Sequence, residues 1–324
     1  MPELPEVESI RSYLKKNIED KNLHVKEIIF HRFRHKKSVI VSFHYFHHPP
    51  KKLSFHQTAL LWEKSIKNCR LIFRRRGKYL IIFCQKKNRL KNPVFIVHLR
   101  MSGAFFHEKT LEEVEDLSAL KLHVHITLCF EKERYVFFDP RTFATWDCFF
   151  DEQSANKWLL QKNLGVEPQN QKKLEEAFLN YFEKLKKKNR HKKNGCCKDV
   201  KSLLLDQNVV CGLGNIYVNE SLFVAGIHPK TLVCLLKKDE WQKLSHAIKK
   251  TISRALHARG VTIEKKGGYR LPDGSRGGYG EKALVYGRQG GDCFHCGCVI
   301  SKVMQKGRSS YWCSNCQKEK KNTF

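Results

Sequence analysis

The sequence predicts an α+β protein of several domains, because three different patterns follow one another along its 324 residues. Between residues 25 and 150, short β-branched and aromatic runs succeed each other without helices between them, which indicates a β-sandwich or a barrel. The runs are 39–41, 70–73, 79–83, 95–97, 124–128 and 135–138. From Ala155 to Ala258 the apolar residues recur at helical spacing, including Leu174–Leu185 and Trp241–Leu256. The last stretch, Gly287–Phe324, is short and rich in cysteine. A chain of this length can bury the cores of two domains.

The amino terminus combines a predicted helix with a candidate nucleophile. A helix is predicted from Glu6 to about Asp20, because apolar residues recur within it at helical spacing. Met1-Pro2-Glu3 precedes this helix. Initiator methionine is normally removed before proline, which would leave Pro2 as a free secondary amine that titrates near roughly pH 8 and is nucleophilic. Glu3, one residue away, could carry a proton at the carbon that this amine attacks. The other interpretation is that Pro2 only keeps the chain extended before the helix.

The chain is strongly basic. It has 61 Lys and Arg residues against 32 Asp and Glu residues, a formal net charge of +29, which opposes compact folding unless an anionic partner shares the surface. Nucleic acid is the leading partner, and an acidic membrane surface is the alternative. No uninterrupted apolar run is long enough to span a bilayer, and the acidic amino terminus is unlike a signal peptide. We therefore expect a cytoplasmic protein whose 13 cysteines are reduced thiols, apart from those bound to metal.

Two segments have the composition of surface loops. Lys184–Lys201 is densely basic, as in a solvated face or a loop. Lys265–Gly280 contains the dipeptides Gly267-Gly268, Asp273-Gly274 and Gly277-Gly278, so it cannot form a rigid helix or strand. This second segment is either a plain linker or a loop that becomes ordered over a ligand.

Cysteine spacing gives the strongest chemical signal in the chain. Cys293-x2-Cys296 is followed, after sixteen residues, by Cys313-x2-Cys316. Two such pairs place four thiolates around a Zn²⁺ ion, and the residues between them have the length of a β-hairpin. Because four protein ligands leave no open position, we expect one structural zinc ion that supplies much of the stability of this small region. The alternative is chance clustering, and Cys298 is a spare thiol in either case.

Two polar side chains stand where they could bind phosphate. An apolar helix ends near Asn208, a turn with two glycines follows, and Asn215 stands where the next helix begins. Helix starts expose N–H groups that attract phosphate, and glycines let a phosphodiester approach the backbone. Arg308 lies near the tip of the predicted zinc hairpin. The alternatives are an ordinary N-cap for Asn215 and mere solubility for Arg308.

Several motifs occur along the chain in an informative order. They are Met1–Glu8, Arg76-Gly-Lys78-Tyr-Leu, His98-Leu-Arg-Met101-Ser-Gly, Asp139-Pro-Arg141-Thr-Phe143, the segment Leu203–Pro229 with its Gly-Leu-Gly-Asn-Ile-Tyr core, Val285-Tyr-Gly-Arg288 and the four-cysteine finger. In this order they resemble the formamidopyrimidine-DNA glycosylases, bacterial repair enzymes that excise oxidised purines. The resemblance covers nearly the whole chain and is specific because all the motifs occur together.

The resemblance implies a domain organisation and a partner. An amino-terminal β-sandwich with flanking helices would cover residues 1–150, and a helix-two-turn-helix domain would cover 151–264. A flexible lesion-capping loop would follow at 265–283, and a zinc finger at 284–324. Double-stranded DNA with oxidised bases or abasic sites would lie in the cleft between the two halves. We expect a monomer, because a clamp on one lesion needs no symmetry.

The resemblance also implies catalytic roles. Pro2 matches the nucleophile that forms a Schiff base, and Glu3 matches the proton donor. Lys78 matches the lysine associated with β-elimination at the 3′ phosphate. Arg308 matches the finger arginine associated with δ-elimination at the 5′ side. From the residues alone, Lys78 could equally be one more surface lysine.

Contacts with DNA are implied as well. A base must leave the stack before its sugar can be attacked, and apolar wedges partly offset the cost of unstacking, a few kcal/mol. Met101 and Phe143 match the residues that fill this gap, and Arg141 matches the one that pairs with the orphaned cytosine. His123 and Asn215 match residues that contact DNA. Without the resemblance, Met101 would be core filler and Phe143 a buried strand residue.

Some positions depart from the pattern of the family. Arg100 stands where a smaller residue is usual, and Thr142 replaces what is often a second arginine. The segment from 30 to 60 is longer than usual and has no functional interpretation. A basic DNA contact is expected a few residues before position 200, where Cys196-Cys197 occupy part of the stretch. Lys193 or Lys198 could take that role.

Two other functions compete with the first. One is that of an enzyme resembling endonuclease VIII, which prefers oxidised pyrimidines; the His-Leu-x-Met-Ser-Gly and Asp-Pro-Arg-x-Phe strings favour the purine type. The other is a DNA-binding protein that kept the clamp and lost the chemistry. An intact Pro2-Glu3 pair together with Lys78 argues against that loss.

Overall fold

The chain folds into two compact units, each with its own core. The first unit comprises Met1–Lys162 and Arg259–Gly277, and the second comprises Asn163–Ala258 and Gly278–Phe324. The computed structural model describes residues 2–31, 40–44, 55–113, 123–189, 198–262 and 269–320. Within these ranges, no helix is both long enough and apolar enough to cross a membrane.

The first unit begins with helix α1 (Leu4–Leu14), which continues as a π-helical turn over Lys15–Glu19. The predicted apolar stripe lies on one face, and its side chains at Val7, Ile10, Leu14 and Ile18 are completely buried. Burial of this stripe against the sheets holds the amino terminus in place, because a short helix gains most of its stability from packing of its apolar face.

Two β-sheets form the body of the first unit. The five-stranded sheet has the order β2-β9-β5-β4-β3, and the four-stranded sheet has the order β1-β7-β8-β6. The strands are β1 (Glu27–Phe30), β2 (Ile40–His44), β3 (Arg70–Arg76), β4 (Tyr79–Gln85), β5 (Val94–His98), β6 (Ala104–His107), β7 (Val124–Cys129), β8 (Arg134–Phe138) and β9 (Thr145–Phe149). All neighbouring pairs are antiparallel except β2 with β9.

The two sheets pack face to face around one apolar core. The Trp146 ring of β9 lies 5.2 Å from the Phe137 ring of β8 and 5.8 Å from the Phe105 ring of β6, so the inner faces interdigitate. Flanking helices are α2 (Phe55–Ile66), α3 (Glu108–Glu113) and α4 (Glu152–Gln161). This arrangement confirms the predicted β-sandwich with flanking helices and excludes the barrel. The expectation that no helix lies between the strands was wrong: α2 follows β2 and buries Trp62 and Ile66 in the core, and α3 follows β6.

The second unit is helical, with a hairpin near its end. Its helices are α5 (Gln171–Asn189), α6 (Val200–Leu205), α7 (Asn215–Val224) and α8 (Lys238–His257), and its strands are β10 (Ile300–Gln305) and β11 (Arg308–Cys313). Short 3₁₀ turns lie at Val233–Leu235 and Gly280–Lys282. The helices predicted from residues 174–185 and 241–256 lie within α5 and α8, which confirms the helical region.

A buried carboxylate joins the helices of the second unit to the segment that leads into the hairpin. Glu220 of α7 is fully buried. Its Oε1 accepts hydrogen bonds from the backbone N–H groups of Val285 and Tyr286, and its Oε2 accepts one from that of Leu284, all within 2.9 Å. Such charge-assisted bonds to backbone donors are strong, so the hairpin is held on α7.

Candidate functional site

The candidate nucleophile and acid stand at the start of α1. Pro2 is buried, and the Glu3 side chain is only 1% exposed. Glu3 and Glu6 form a reciprocal capping box, in which the Glu3 carboxylate accepts from the backbone N–H of Glu6 and Glu6 Oε2 accepts from the backbone N–H of Glu3 at 2.8 Å. The helix start therefore holds the Glu3 carboxylate in one orientation directly beside the Pro2 residue.

Glu6 also binds the segment that contains the predicted capping loop. Its Oε1 accepts a hydrogen bond from the Val261 backbone N–H at 2.8 Å, and the Tyr269 hydroxyl donates to its carbonyl at 3.1 Å. Gly260 has φ of +82°, and a Cβ there would lie 2.6 Å from Glu6 Oε1, so only glycine fits. Burial and the Glu6 charge raise the pKa of Tyr269, which keeps its hydroxyl protonated as a donor.

Glu6 is a site residue that the sequence patterns did not single out. A second glutamate three residues after a proline-preceded Glu3 is a capping-box signal, but its contact with Val261 is invisible in a local pattern. Residues 265–268 of the predicted capping loop lie outside the described residues.

Lys78 stands at the turn between β3 and β4. Gly77 adopts φ of +55°, and its carbonyl accepts a hydrogen bond from Arg75 Nη1 at 3.0 Å. Arg75 Nε in turn donates to Glu8 Oε2 of α1 at 2.9 Å, in a well-buried ion pair. The turn is thus fixed relative to α1, and Lys78 is held half-buried on it.

The positive charge of Lys78 affects the pKa of the neighbouring His98 imidazole. Burial, followed by the charges of Arg100 and Lys78, lowers the pKa of His98 to about 3. His98 is therefore neutral near pH 7, and its Nδ1 accepts a hydrogen bond from the Arg100 backbone N–H at 3.0 Å. Arg100, a departure from the family pattern, has φ of +53° and orients the loop that carries Met101.

The two candidate wedge residues are exposed. Met101 is 45% exposed and Phe143 is 49% exposed, so neither is the core residue that the alternative interpretation requires. The guanidinium carbon of Arg141 lies 5.1 Å from the centre of the Phe143 ring, a cation–π contact between two candidate DNA-binding side chains. Exposed apolar side chains beside a cation suit a surface that receives nucleobases.

One buried aspartate joins the loops that carry these side chains. Asp139 is completely buried; its Oδ1 accepts hydrogen bonds from the Ser102 hydroxyl and, at 3.2 Å, from the Arg141 backbone N–H. Its Oδ2 accepts from the Ala144 backbone N–H at 2.8 Å. The loop of Met101 and the loop of Arg141 therefore share one anchor.

His123 lies beside the same anchor. The backbone N–H of Asp139 donates to the His123 carbonyl at 3.1 Å, and the His123 ring packs 6.0 Å from that of Phe138. His125 bonds the Asp139 carbonyl through Nε2 at 2.8 Å, and burial lowers its pKa, so it is a neutral structural residue. The first unit thus brings together Met101, His123, Arg141 and Phe143 around Asp139.

The second unit gathers its candidate residues at the hairpin. Asn215 opens α7, and its Nδ2 donates to the Ser309 carbonyl at 3.0 Å. Ser309 directly follows Arg308, so Asn215 contacts β11 one residue away from Arg308. Asn219, one turn further along α7, accepts a hydrogen bond from the Tyr311 backbone N–H at 2.8 Å. Arg308 itself is exposed.

Lys201, which the sequence places at the end of a basic surface segment, lies in helix α6 instead and is a second site residue that the sequence patterns did not single out. It is only 1% exposed, and its Nζ donates to the Ser309 carbonyl and to the Ser310 hydroxyl, both at 2.7 Å. Burial, and then the charge of Arg308, lowers the pKa of Lys201 to about 8, against an opposing contribution from Asp199. A lysine in the otherwise apolar run of α6 is the signal that could have found it.

The two lysines named from the sequence are placed differently. Lys198 is exposed and pairs with Asp206 at 3.1 Å between Nζ and Oδ2. Lys193 lies outside the described residues. Only Lys201, of these three basic residues, is shown in contact with the hairpin that carries Arg308.

The four predicted cysteine ligands meet in space. The Sγ atoms of Cys293, Cys296, Cys313 and Cys316 all lie within 4.8 Å of one another. Four sulfur donors at this separation suit a tetrahedral ion that prefers thiolates. The cluster closes the base of the β10–β11 hairpin, whose tip bears Arg308.

Two family models match the chain. One describes the formamidopyrimidine-DNA glycosylase N-terminal domain and matches residues 1–146; the other describes the H2TH domain of formamidopyrimidine-DNA glycosylase and matches residues 164–266. The formamidopyrimidine-DNA glycosylase of Prochlorococcus marinus (strain NATL1A) is 34% identical over 323 residues, covering 98% of this chain and 100% of that protein. That of Hydrogenovibrio crunogenus is 33% identical over 326 residues, covering 100% of this chain and 99% of that protein.

Solved structures are similar over the same length. A complex of the Lactococcus lactis Fpg with DNA containing an abasic site has a TM-score of 0.74 and 28% identity, and covers 98% of this chain and 100% of that chain. A complex of MutM with DNA containing carbocyclic 8-oxo-G has a TM-score of 0.73 at the same identity and coverage.

Proposed function

The chain belongs to the formamidopyrimidine-DNA glycosylase family, DNA repair glycosylases that act on oxidised bases, and we propose that it excises oxidised purines through a Schiff base at Pro2. The substrates would be 8-oxoguanine and formamidopyrimidines in duplex DNA, and strand cleavage by β,δ-elimination would follow. The observation that carries this proposal is the buried Glu3 carboxylate, held by a capping box directly after Pro2.

Base excision would begin with extrusion of the damaged nucleotide. Exposed Met101 and Phe143 would fill the gap, and Arg141 would hydrogen-bond the orphaned cytosine. Their shared anchor at Asp139 supports this role, because a wedge works only if the gap side chains keep their positions when the base leaves.

The covalent step would then use Pro2 and Glu3. Glu3 gives a proton to the deoxyribose ring oxygen, the ring opens, and the Pro2 nitrogen bonds to C1′ as the bond from C1′ to the base breaks. The departing base takes up the proton that the Pro2 nitrogen loses, so that an iminium joins Pro2 to the sugar. The capping box supports this task, since it holds the Glu3 carboxyl group in one orientation beside Pro2.

Strand cleavage would follow from the electron-withdrawing iminium. It acidifies the C2′ position, so that loss of a C2′ proton expels the 3′ phosphate, and a second elimination expels the 5′ phosphate. Lys78 would bind the 3′ phosphate, and Asn215 and Arg308 the 5′ side. Lys201, beside Arg308, would add charge there, and a phosphate in contact would favour its protonated form.

The remaining assignments belong to the same proposal. His123, Lys193 and Lys198 would contact the DNA backbone. The four clustered cysteines would hold one Zn²⁺ ion, which would stabilise the hairpin and take no part in the chemistry because all four positions are filled by protein.

Borohydride trapping tests the mechanism. The protein is incubated with a duplex that carries 8-oxoguanine opposite cytosine, and the covalent adduct is mapped by mass spectrometry. We expect an adduct at Pro2 in the wild type, almost none with Pro2→Gly or Glu3→Gln, and a normal amount with Glu152→Gln, which changes an exposed glutamate in α4. Mass analysis of the amino terminus must show that Met1 is absent, since an acylated proline nitrogen cannot attack.

Two results would overturn the proposal. An adduct that forms with thymine glycol and not with 8-oxoguanine would assign the protein to oxidised pyrimidines. Tight binding to the lesion duplex without any adduct, from protein that begins at Pro2, would leave it a binding function only.

A further inference from the structure

A cationic cavity lies in the first unit, at the end of the β3–β4 hairpin that is far from Lys78. It has a volume of about 530 Å³. Its described lining consists of four amide side chains, three lysine or arginine side chains and one imidazole: Asn22, His24, Asn68, Arg70, Gln85, Lys86, Lys87 and Asn92. None of these described lining residues is a carboxylate.

The strand register explains why these side chains converge. Arg70 opens β3 and pairs with Gln85, the last residue of β4, while His24 forms an isolated bridge to Arg70 on its other side. Residues directly opposite each other in antiparallel pairs project from the same face, about 5 Å apart. His24, Arg70 and Gln85 therefore form a row of donors across three chain segments, and two turns complete the cavity.

Those turns place their amides with unusual backbone geometry. Asn22 has φ of +52° and Asn68 has φ of +62°, both in the left-handed region that asparagine tolerates better than most residues. The Asn68 backbone N–H donates to the Val25 carbonyl at 2.7 Å, which fixes this turn against the segment that follows the first. The rim is thus built by two local structures that suit asparagine and orient its side chain.

Arg70 carries the strongest indication of a ligand. Its Nε is buried and has no hydrogen-bond partner among the described residues, although its Nη2 donates to the Glu19 carbonyl at 3.4 Å. A buried guanidinium donor without an acceptor costs free energy, so such groups normally have a partner. Lys86 and Lys87 are exposed at the mouth of the cavity and form no ion pair with a described residue.

The acidic side chain of Glu19, whose carbonyl Arg70 contacts, already has partners. The Glu19 carboxylate accepts a hydrogen bond from the Phe73 backbone N–H at 2.9 Å and lies 3.7 Å from Arg74 Nη1. Lys15 Nζ lies 3.8 Å from the same carboxylate. Glu19 therefore does not neutralise the cations of the cavity, which retains a local excess of positive charge.

We propose that this cavity is a phosphate-binding site, distinct from the lesion-processing site, in which Arg70, Lys86 and Lys87 neutralise the anion and the amides hydrogen-bond it. Arg70 stands six strand positions from Arg76, so the site is about 20 Å from the Lys78 turn. One phosphate cannot contact both. The inference does not depend on the proposed glycosylase mechanism.

Two sources share this chemistry: free inorganic phosphate and the backbone of a nucleic-acid strand. The volume admits either a small anion or one nucleotide unit of a strand. Guanidinium groups bind phosphate oxygens through paired N–H donors, so a rotation of the Arg70 side chain toward the anion would supply the acceptor that its buried Nε lacks.

The Nε–Hε resonance of Arg70 provides the test. It is followed by NMR in the full-length protein and assigned by its disappearance in Arg70→Lys. Inorganic phosphate and a short undamaged single strand are titrated separately at constant ionic strength. A saturable shift with phosphate alone identifies the free anion as the ligand, and a shift with the strand identifies the nucleic-acid backbone; either result supports the site.

A pair of matched variants separates a site from general electrostatics. Lys86→Ser/Lys87→Ser should weaken the binding that the Arg70 resonance reports by about tenfold, because two direct charge contacts are lost. Lys109→Ser/Lys132→Ser removes the same charge from a cavity that carboxylates also line, and should leave that binding unchanged. No shift with either ligand, an equal shift with chloride, or equal weakening by both double variants would overturn the proposal.

Discussion

Glu6 accepts a hydrogen bond from the backbone N–H of Glu3 at 2.8 Å through one carboxylate oxygen. Its other oxygen accepts from the backbone N–H of Val261, at the same distance. One buried carboxylate therefore holds the candidate acid and the base of the predicted capping loop together, although these lie at opposite ends of the sequence.

Replacing Glu6 by Gln should disturb both contacts. An amide has a single oxygen, so either Glu3 N–H or Val261 N–H would face an NH₂ group in a buried site. Leaving one buried donor unsatisfied should lower the free energy of unfolding by about 1–3 kcal/mol. Single-turnover base excision should also slow, and denaturant unfolding with rapid-quench kinetics measures the two effects.

The control for this variant is Glu27→Gln, which changes an exposed glutamate of β1 and should alter neither quantity. A Glu6→Gln protein with wild-type stability and excision rate would show that the two hydrogen bonds have no energetic role.

The exposed wedge residues should matter for DNA and not for folding. Met101→Ala with Phe143→Ala removes side chains that are 45% and 49% exposed, so the melting temperature should stay near that of the wild type. Affinity for a lesion duplex should fall by about 1–3 kcal/mol per lost stacking contact. Leu90→Ala, at a fully exposed position of the same unit, is the control. Thermal unfolding measures the stability of the variant, and fluorescence anisotropy measures its affinity for DNA. A large loss of stability would mean that Met101 and Phe143 have a structural role.

Lys201 should make stability depend on pH in alkaline solution. Its folded pKa of about 8 lies below the ordinary value of 10.5, so between these values the unfolded chain binds more protons. The stability of the wild type relative to Lys201→Met should therefore rise as the pH increases from about 8 to 10.5, by up to about 3 kcal/mol. Urea unfolding across this range measures it, and a constant difference would contradict the lowered pKa.

DNA binding should distinguish Lys201 from Lys198. If Lys201 contacts phosphate, affinity should fall above about pH 8, where its ammonium group begins to lose its proton. This fall should be absent in Lys201→Met, whose affinity is already reduced. Lys198→Met is the matched variant, since Lys198 is exposed and paired with Asp206. Anisotropy titrations from neutral to alkaline pH measure these affinities. If only Lys198→Met binds DNA weakly, Lys198 and not Lys201 is the residue that contacts DNA.

Metal analysis should find one zinc ion per chain. Cys296→Ser removes one of the four clustered thiols and should lose the metal, destabilise the β10–β11 hairpin and weaken DNA binding at least tenfold. Cys298→Ser changes the neighbouring thiol outside the cluster and should keep both zinc and activity. Atomic emission and hydrogen exchange of residues 300–313 provide the readouts. Equal zinc loss in both variants would mean that Cys298 is a ligand.

Much of the fold was predictable from local pattern. β-branched and aromatic runs placed β3, β4, β5, β7 and β8, because these residue types favour strands. Helical spacing placed α5 and α8, because it marks the buried face of a helix. The cysteine pairs predicted the four-sulfur cluster, since two residues between ligands already form the required turn. The order of the motifs predicted the family.

Contacts between distant segments were not predictable in this way. The burial of Lys201 follows from the packing of α6 on Ser309, more than a hundred positions later. The shared Asp139 anchor and the exposure of Met101 and Phe143 are also properties of packed loops. A sequence pattern records a residue and its near neighbours, whereas burial and partner choice are fixed only when whole elements pack.

The sequence by itself therefore determined the elements of this protein, its cysteine cluster, its family and the identity of Pro2 and Glu3 as candidates. The tertiary structure alone decided that Glu6 joins Glu3 to Val261 and that Lys201 lies beside Arg308. It also gathered eight polar side chains from four chain segments into a cationic cavity. The physical reason is that hydrogen bonding and pKa depend on distance and burial, which the chain acquires only on folding.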